Sequence, residues 1–79
     1  MKLKNEEIIK ILESVFRQKK GTINLDTPLE HFAKDSMDII EFIAILKNKH
    51  NVTIEPSEIV ILTKTSEIIE YILVNQKKA

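Results

Sequence analysis

The sequence predicts a small all-α protein: an up-down bundle of three main helices and one short helix, with a long loop between helices 1 and 2. The chain has 79 residues, a length that suits one domain, and hydrophobic residues make up 43% of it, which is enough for a core. One Gly and two Pro are too few turn formers for a many-stranded sheet. Apolar residues recur at helical spacing. We therefore expect residues 1–79 to form a single helical domain.

The first helix is predicted over residues 5–19, followed by a long pinned loop. Asn5 suits the N-cap, and Gly21 suits the residue after the helix end. One apolar stripe runs along this helix: Ile8, Leu12, Val15 and Phe16. The connection from Thr22 to Lys34 is longer than most in a compact domain. Three side chains are expected to hold it to the core, Leu25, Leu29 and Phe32, with Ile23 as a further candidate.

The second main helix is predicted from Ser36 to about His50. It is apolar over most of its girth, so we expect it to be central and contacted from several sides. Pro56 then opens a short helix over about 56–62. The last helix starts within 63–66, capped by Thr63 or Thr65, and ends near Gln76.

Composition and charge exclude several classes of function. Net charge is zero and no basic stripe is present, which makes nucleic acid a poor partner. The absence of cysteine excludes disulfides and thiolate metal sites and fits a reducing compartment. The first residues hold no apolar signal segment, and no apolar run is long enough to span a bilayer. We therefore expect a cytoplasmic monomer with no membrane span.

The sequence pattern around Ser36 allows several roles for this residue. Asp35 suits the N-cap of the second helix, so Asp-Ser-x-Asp at this place is also ordinary capping. An enzyme nucleophile would need a partner base, and His31 is the nearby candidate, but no Gly-rich elbow surrounds the serine. The two histidines give no metal-binding spacing. We therefore expect no catalytic residue, no metal and no enzyme activity.

The arrangement of these features resembles the acyl carrier protein family, which also includes peptidyl carrier domains. In that family an Asp-Ser-Leu motif opens the second of four helices, and its serine is esterified with phosphopantetheine. The stretch Asp35-Ser36-Met37-Asp38 matches this motif, with Met37 in place of the usual Leu. Glu41 matches an acidic position one turn later. The family's apolar core positions are matched by Ile54, Leu62, Tyr71 and Ile72.

The resemblance implies a discrete acyl carrier with phosphopantetheine, taken from coenzyme A, on Ser36. Its partners would be a phosphopantetheinyl transferase and acyl-loading, condensing or transferase enzymes, which would meet acyl intermediates held as thioesters. Asp35, Met37, Asp38 and Glu41 would form a docking face for basic patches, with Met37 as its apolar anchor. The inner faces of the second and last helices would supply a pocket for the acyl group.

Three features differ from the family's usual pattern and bear on the pathway. Ala33-Lys34 stands where Gly is usual before the motif, the second helix carries Lys47 and Lys49, and the net charge is zero. They favour a specialised lipid or secondary-metabolite pathway, such as polyketide synthesis, over housekeeping fatty acid biosynthesis. One alternative is an aminoacyl or peptidyl carrier. Another is an unmodified helical protein-interaction module in which Ser36 only opens a helix.

Overall fold

A computed structural model describes the backbone of residues 3–78 and the side chains of residues 3–76. The helices are α1 (Asn5–Val15), α2 (Ser36–His50), α3 (Pro56–Ile59) and α4 (Thr65–Lys78), with a 3₁₀ turn, Leu29–His31, between α1 and α2. The described part contains no strand, and its one isolated β-bridge joins Pro28 to Lys64. The predicted all-α bundle of three main helices and one short helix is confirmed.

The three main helices and the long loop share one apolar core. Its least exposed apolar side chains come from α1, α2 and α4: Ile8, Leu12, Phe42, Leu46 and Ile72. The ring of Phe16 packs edge-on against Phe32 with a centroid distance of 5.2 Å, and lies 6.1 Å from the ring of Phe42. Burying each such side chain contributes about 1.5–3 kcal/mol. Because Phe32 lies just before α2, this cluster packs the end of the loop against α1 and α2.

The C-terminal end of α1 differs from the prediction. The helix ends at Val15, four residues early, because Arg17 adopts a left-handed backbone with φ 57°. The Gln18 N–H donates to the Glu13 carbonyl at 2.8 Å, closing a Schellman motif that usually has Gly where Arg17 stands. Gly21 also has a positive φ of 86°, but it lies in the loop, so the prediction that it ends the helix is wrong. The N-cap is also shifted by one residue, from Asn5 to Lys4.

A buried carboxylate explains why the chain turns away so early. Glu13 is only 6% exposed, and its Oε2 accepts the Gly21 N–H at 2.8 Å and the Ile23 N–H at 3.3 Å. Ile23 is thereby drawn into the core, at 5% exposure. Leu25, predicted to pin the loop, is instead 45% exposed, because Ile23 takes the buried place on this stretch.

The loop is also tied to the segment before α4. The backbone N–H and the hydroxyl of Thr65 both donate to the Thr27 carbonyl, at 3.0 and 2.9 Å. The Leu29 N–H donates to the Thr63 carbonyl at 2.9 Å. Thr65 is fully buried. The long loop is therefore an ordered part of the structure that carries the chain to the start of α2.

The helix α2 has the predicted bounds but only part of the predicted surroundings. Only Phe42 and Leu46 are buried along it, whereas Met37, Ile40 and Ala44 are exposed. The expectation that neighbours contact this helix from several sides is confirmed for α1 and α3, but the side that carries these three residues has no such cover. Its apolar residues exceed what the core accepts, and the surplus faces solvent.

The last two helices agree with prediction only in part: α4 starts at Thr65, inside the predicted 63–66, and runs to Lys78 rather than to about Gln76. α3 stops at Ile59 rather than 62, since one short helix cannot turn four consecutive apolar residues inward; Val60 and Ile61 are 67% and 74% exposed. The side chain that closes the start of α4 is not a threonine but Glu67, which accepts the Thr63 N–H at 2.7 Å and the Lys64 N–H at 2.9 Å. These hydrogen bonds lower the pKa of Glu67, and the bond from the Thr63 N–H has the largest effect.

Candidate modification site

Ser36 is the first residue of α2 and is exposed to solvent. The preceding residue, Asp35, is extended (φ −104°, ψ 122°), and its Oδ1 accepts the Met37 N–H at 2.9 Å. The predicted cap is therefore confirmed, and Asp35 alone performs it. Among the described residues, no side chain forms a hydrogen bond with the Ser36 hydroxyl. The serine is consequently available for chemistry without breaking the helix start.

The electrostatics around Ser36 combine a positive helix end with carboxylates. The unpaired N–H groups of the first turn give the helix N-terminus a partial positive charge, which favours a bound anion. Asp35 and Glu41 are exposed. Asp38 is different, because the Arg17 guanidinium lies 3.4 Å from its carboxylate and leaves that side chain 14% exposed. An exposed pair of this kind contributes about 0–1 kcal/mol.

Arg17 is the residue of this site that the sequence did not indicate. It follows α1, 21 residues before Asp38, and its charge suited a helix C-terminus equally well. The early left-handed turn at Arg17 is what brings its side chain to α2. No local pattern in the sequence marks that turn, because Gly is the usual residue there and Gly21 offered a competing position.

Two apolar side chains are exposed on α2 close to Ser36. Met37 is 69% exposed, and Ile40, one turn further on, is 55% exposed. Large apolar side chains that remain in water beside a polar rim are typical of contact surfaces. The predicted exposure of Met37 is thus observed, and Ile40 is a second exposed apolar side chain beside it.

An apolar cavity of about 250 Å³ opens between α2, the α1–α2 loop and α3. Its walls include Leu29, Ile39, Phe42 and Ile59, and Glu30 is the one acidic residue among them. The pocket was expected between the second and last helices. Ile68 is the single contribution from α4, because α3 lies over this side of α2 instead.

The remaining predicted candidates do not assemble into a catalytic or metal site in the described residues. His31 is exposed in the 3₁₀ turn and has no hydrogen bond to Ser36 there, so no serine–histidine dyad forms. No three His, Cys, Asp or Glu side chains of the described residues are placed to hold a metal ion. The helices in this part of the chain all fall short of the length and apolar character that crossing a bilayer requires.

Comparison with known families identifies the family of this chain. The family model described as the phosphopantetheine attachment site matches residues 6–72, which includes all of α2 and the loop before it. The chain therefore belongs to the family of phosphopantetheine-binding carrier proteins, whose members hold that prosthetic group covalently. The resemblance to acyl carrier proteins is thus confirmed at the level of the family. Searches of curated proteins and of solved structures returned no match.

Proposed function

We propose that Ser36 is the residue that carries the phosphopantetheine, and that the chain is a discrete carrier of acyl thioesters. The observation that carries the proposal is an exposed hydroxyl, without a side-chain partner in the described residues, at the first position of a 15-residue helix. A phosphodiester formed there would lie beside the first-turn N–H groups, which favour negative charge. Because the hydroxyl is exposed, a flexible arm attached to it would extend into solvent.

The other serines suit this role less well. Ser14 lies at the C-terminal end of α1, where carbonyl groups disfavour an anion. Ser57 is exposed, but α3 has only four residues, which gives a weak helix dipole. Ser66 is half-buried at the start of α4. Position on a helix and exposure therefore favour Ser36 over the other three.

The attachment step uses Ser36 as the nucleophile and leaves the acid–base chemistry to the transferase. The Ser36 Oγ would attack the pantetheine-bearing phosphorus of coenzyme A, forming a new P–O bond. The bond to the adenosine bisphosphate half would break, and the hydroxyl proton would pass to a base of the transferase. When bound, the group supplies a thiol that holds an acyl chain as a thioester.

The docking face predicted around Ser36 fits a partner with basic side chains around an apolar pocket. Asp35, Met37 and Glu41 are all exposed and so are available to such a partner. Asp38 is held by Arg17, so it would contribute only after that exposed ion pair opens. We propose that Met37 supplies the apolar contact and the carboxylates direct the approach.

The apolar cavity favours an acyl cargo over a polar aminoacyl cargo. Its walls are mainly aliphatic and aromatic side chains next to α2, and each buried methylene of a cargo would gain about 0.8 kcal/mol. A charged aminoacyl group would gain nothing there and would lose hydration. Together with Lys47 and Lys49, the cavity supports a carrier for a dedicated lipid or secondary-metabolite pathway. We further propose that the carrier acts as a cytoplasmic monomer.

Intact mass after incubation with coenzyme A, magnesium and a broad-specificity phosphopantetheinyl transferase tests the attachment. The wild type should gain the mass of one phosphopantetheine, and Ser36→Ala should gain none. Ser57→Ala and Ser66→Ala are matched controls, since each removes a hydroxyl from the first turn of another helix, and both should gain the group. The proposal would be overturned if Ser36→Ala gained the group. It would also be overturned if the folded wild type gained none, even with a transferase from the source organism.

Thermal unfolding of loaded forms tests the cargo. Octanoyl loading should raise the unfolding midpoint above that of the form with a free thiol, whereas alanyl loading should leave it unchanged. Ala33→Phe places a large side chain in the cavity wall, so it should abolish the octanoyl effect while Ser36 is still modified. An equal or larger effect of alanyl loading would favour the aminoacyl alternative.

A further inference from the structure

A second groove lies between α1 and the C-terminal half of α2. It has a volume of about 260 Å³. Its floor is apolar, formed by Ile11, Val15 and Ile45, and its rim is basic. The rim residues are Lys10 on α1, and Lys49 and His50 on α2. We call this surface the basic groove.

The basic side chains of this groove form no ion pair with the described residues. The only ion pair in the described residues is the one between Arg17 and Asp38, so Lys10 and Lys49 have no acidic partner there. Of the acidic residues of α1, Glu6 and Glu7 lie outside the groove lining, and Glu13 turns its carboxylate inward to the Gly21 and Ile23 N–H groups. Both lysine side chains are exposed. Two free ammonium groups therefore flank an apolar floor.

We infer that the basic groove binds an acidic amphipathic segment of a partner protein, with the partner's apolar side chains on the floor and its carboxylates on the rim. Charge complementarity selects an acidic partner, because like charges across an interface are strongly unfavourable. A groove between two packed helices also suits the helix-in-groove mode of recognition. The inference goes beyond the proposed function, because nothing in it requires Ser36 to be modified.

The shape of the groove favours a protein segment over a membrane or a nucleic acid. Val15 is 6% exposed, and Ile11 and Ile45 are half-buried, so the apolar surface is recessed rather than protruding. Insertion into a bilayer needs apolar side chains that project outward. Few basic groups line the groove, and the chain is neutral overall, which gives little affinity for a phosphate backbone.

The position of the groove would allow two partners at once. Lys49 lies 13 residues after Ser36 on α2, so the two are roughly 20 Å apart along the helix. A segment held in the basic groove would leave Ser36 and the docking face uncovered. The groove would thus keep the carrier near one protein while its serine end visits others, which raises the effective concentration of those encounters.

A synthetic helical peptide with leucines on one stripe and glutamates on both flanks is the probe, added to the full chain and followed by amide chemical shifts. The shifts should concentrate in residues 10–15 and 45–50. The double variant Lys10→Glu/Lys49→Glu should weaken binding about tenfold or more, equivalent to about 1.4 kcal/mol. Lys19→Glu/Lys20→Glu changes the charge equally on exposed lysines outside the groove and should weaken it less than about threefold.

Several outcomes would overturn the inference. One is equal binding by a scrambled peptide of the same composition, and another is an equal loss in both double variants. Binding to phosphatidylglycerol vesicles but not to the peptide would assign the groove to a membrane. Self-association that Lys10→Glu/Lys49→Glu abolishes, with no peptide binding, would assign it to a second copy of the chain.

The experiment also separates this inference from the proposed function. Ser36→Ala should bind the peptide as the wild type does, and Lys10→Glu/Lys49→Glu should still accept phosphopantetheine. Unchanged folding of the double variant is checked by circular dichroism and urea unfolding, since both substitutions fall on exposed positions. A failure of peptide binding would leave the modification result standing, and the reverse also holds.

Discussion

The starts of α2 and α4 share one sequence pattern but differ in what it does. Each helix opens with a hydroxyl residue followed two positions later by an acid: Ser36 and Asp38 in α2, Thr65 and Glu67 in α4. In α4 the hydroxyl is fully buried and donates to the Thr27 carbonyl at 2.9 Å. In α2 the hydroxyl is exposed and forms no such bond in the described residues.

The acids at the two helix starts differ in the same way. Glu67 turns back to its own helix start, where it accepts two backbone N–H groups and the Thr63 hydroxyl. Asp38 instead pairs with the exposed Arg17 guanidinium, 3.4 Å away, outside its own helix. In α4 the hydroxyl residue and the acid therefore both stabilise the fold. The α2 pattern is stabilised by Asp35 alone, which leaves its serine free.

The largest expected effect contrasts the two hydroxyl residues. Thr65→Ala should lower the free energy of unfolding by about 1–3 kcal/mol, because it removes a buried hydrogen bond and a buried methyl group. Ser36→Ala should change it by less than about 0.5 kcal/mol, because that side chain is exposed. Urea unfolding measures both. Thr65→Ser keeps the hydroxyl and should recover part of the loss; equal effects at positions 36 and 65 would break the comparison.

A smaller effect is expected at Asp35, the one side chain that caps α2. Asp35→Ala should cost about 1 kcal/mol, because the Met37 N–H loses its acceptor. Asp35→Asn keeps an oxygen acceptor and should stay within about 0.5 kcal/mol of the wild type. The same two variants should both slow the proposed modification of Ser36, since each removes a charge from the proposed docking face. If only the alanine variant slowed it, Asp35 would serve the helix alone.

The smallest effect concerns pH and Glu67. Since the folded protein lowers the pKa of Glu67, its contribution is present above the ordinary carboxyl pKa and disappears as pH falls below it, through the lowered folded value. Glu67→Gln should therefore lose less stability than the wild type between neutral and acid pH. Glu70→Gln, on the same helix, leaves the Glu67 bonds in place and serves as the control. The measurement is the urea midpoint across this pH range. The Glu67→Gln curve should diverge from that of the wild type, whereas the Glu70→Gln curve should run parallel to it.

Local signals in the sequence were sufficient for the helices that begin with a clear cap. The start of α2 follows from Asp35 before it, and the structure ends the helix as expected at His50, where Asn51 takes a left-handed backbone of φ 57°. Pro56 placed the start of α3 for the same kind of reason, since it suits the first helical turn. Such features act within a few residues, so a pattern can reveal them.

Features that depend on distant partners were not predicted. The early end of α1 depends on Glu13 reaching Gly21 and Ile23, and the exposure of Leu25 follows from which loop residue is drawn into the core. The Arg17–Asp38 pair and the basic groove both need the packing of α1 on α2. Periodicity tells which residues prefer burial, but it does not tell which of them find room.

The bonds between the long loop and the segment before α4 also constrain the order of folding. Thr27 and Thr65 are 38 residues apart, so forming their bond carries the entropic cost of closing the intervening chain into a loop. Helical turns in α1 and α2 can form locally within microseconds, but the bonds that tie the loop before Ser36 to residues 63 and 65 need the C-terminal part of the chain. During synthesis, which delivers the N-terminal part first, Ser36 therefore emerges on an unfinished surface. An enzyme that modifies Ser36 as proposed, and that reads the folded shape, would therefore meet its substrate only after α4 is complete.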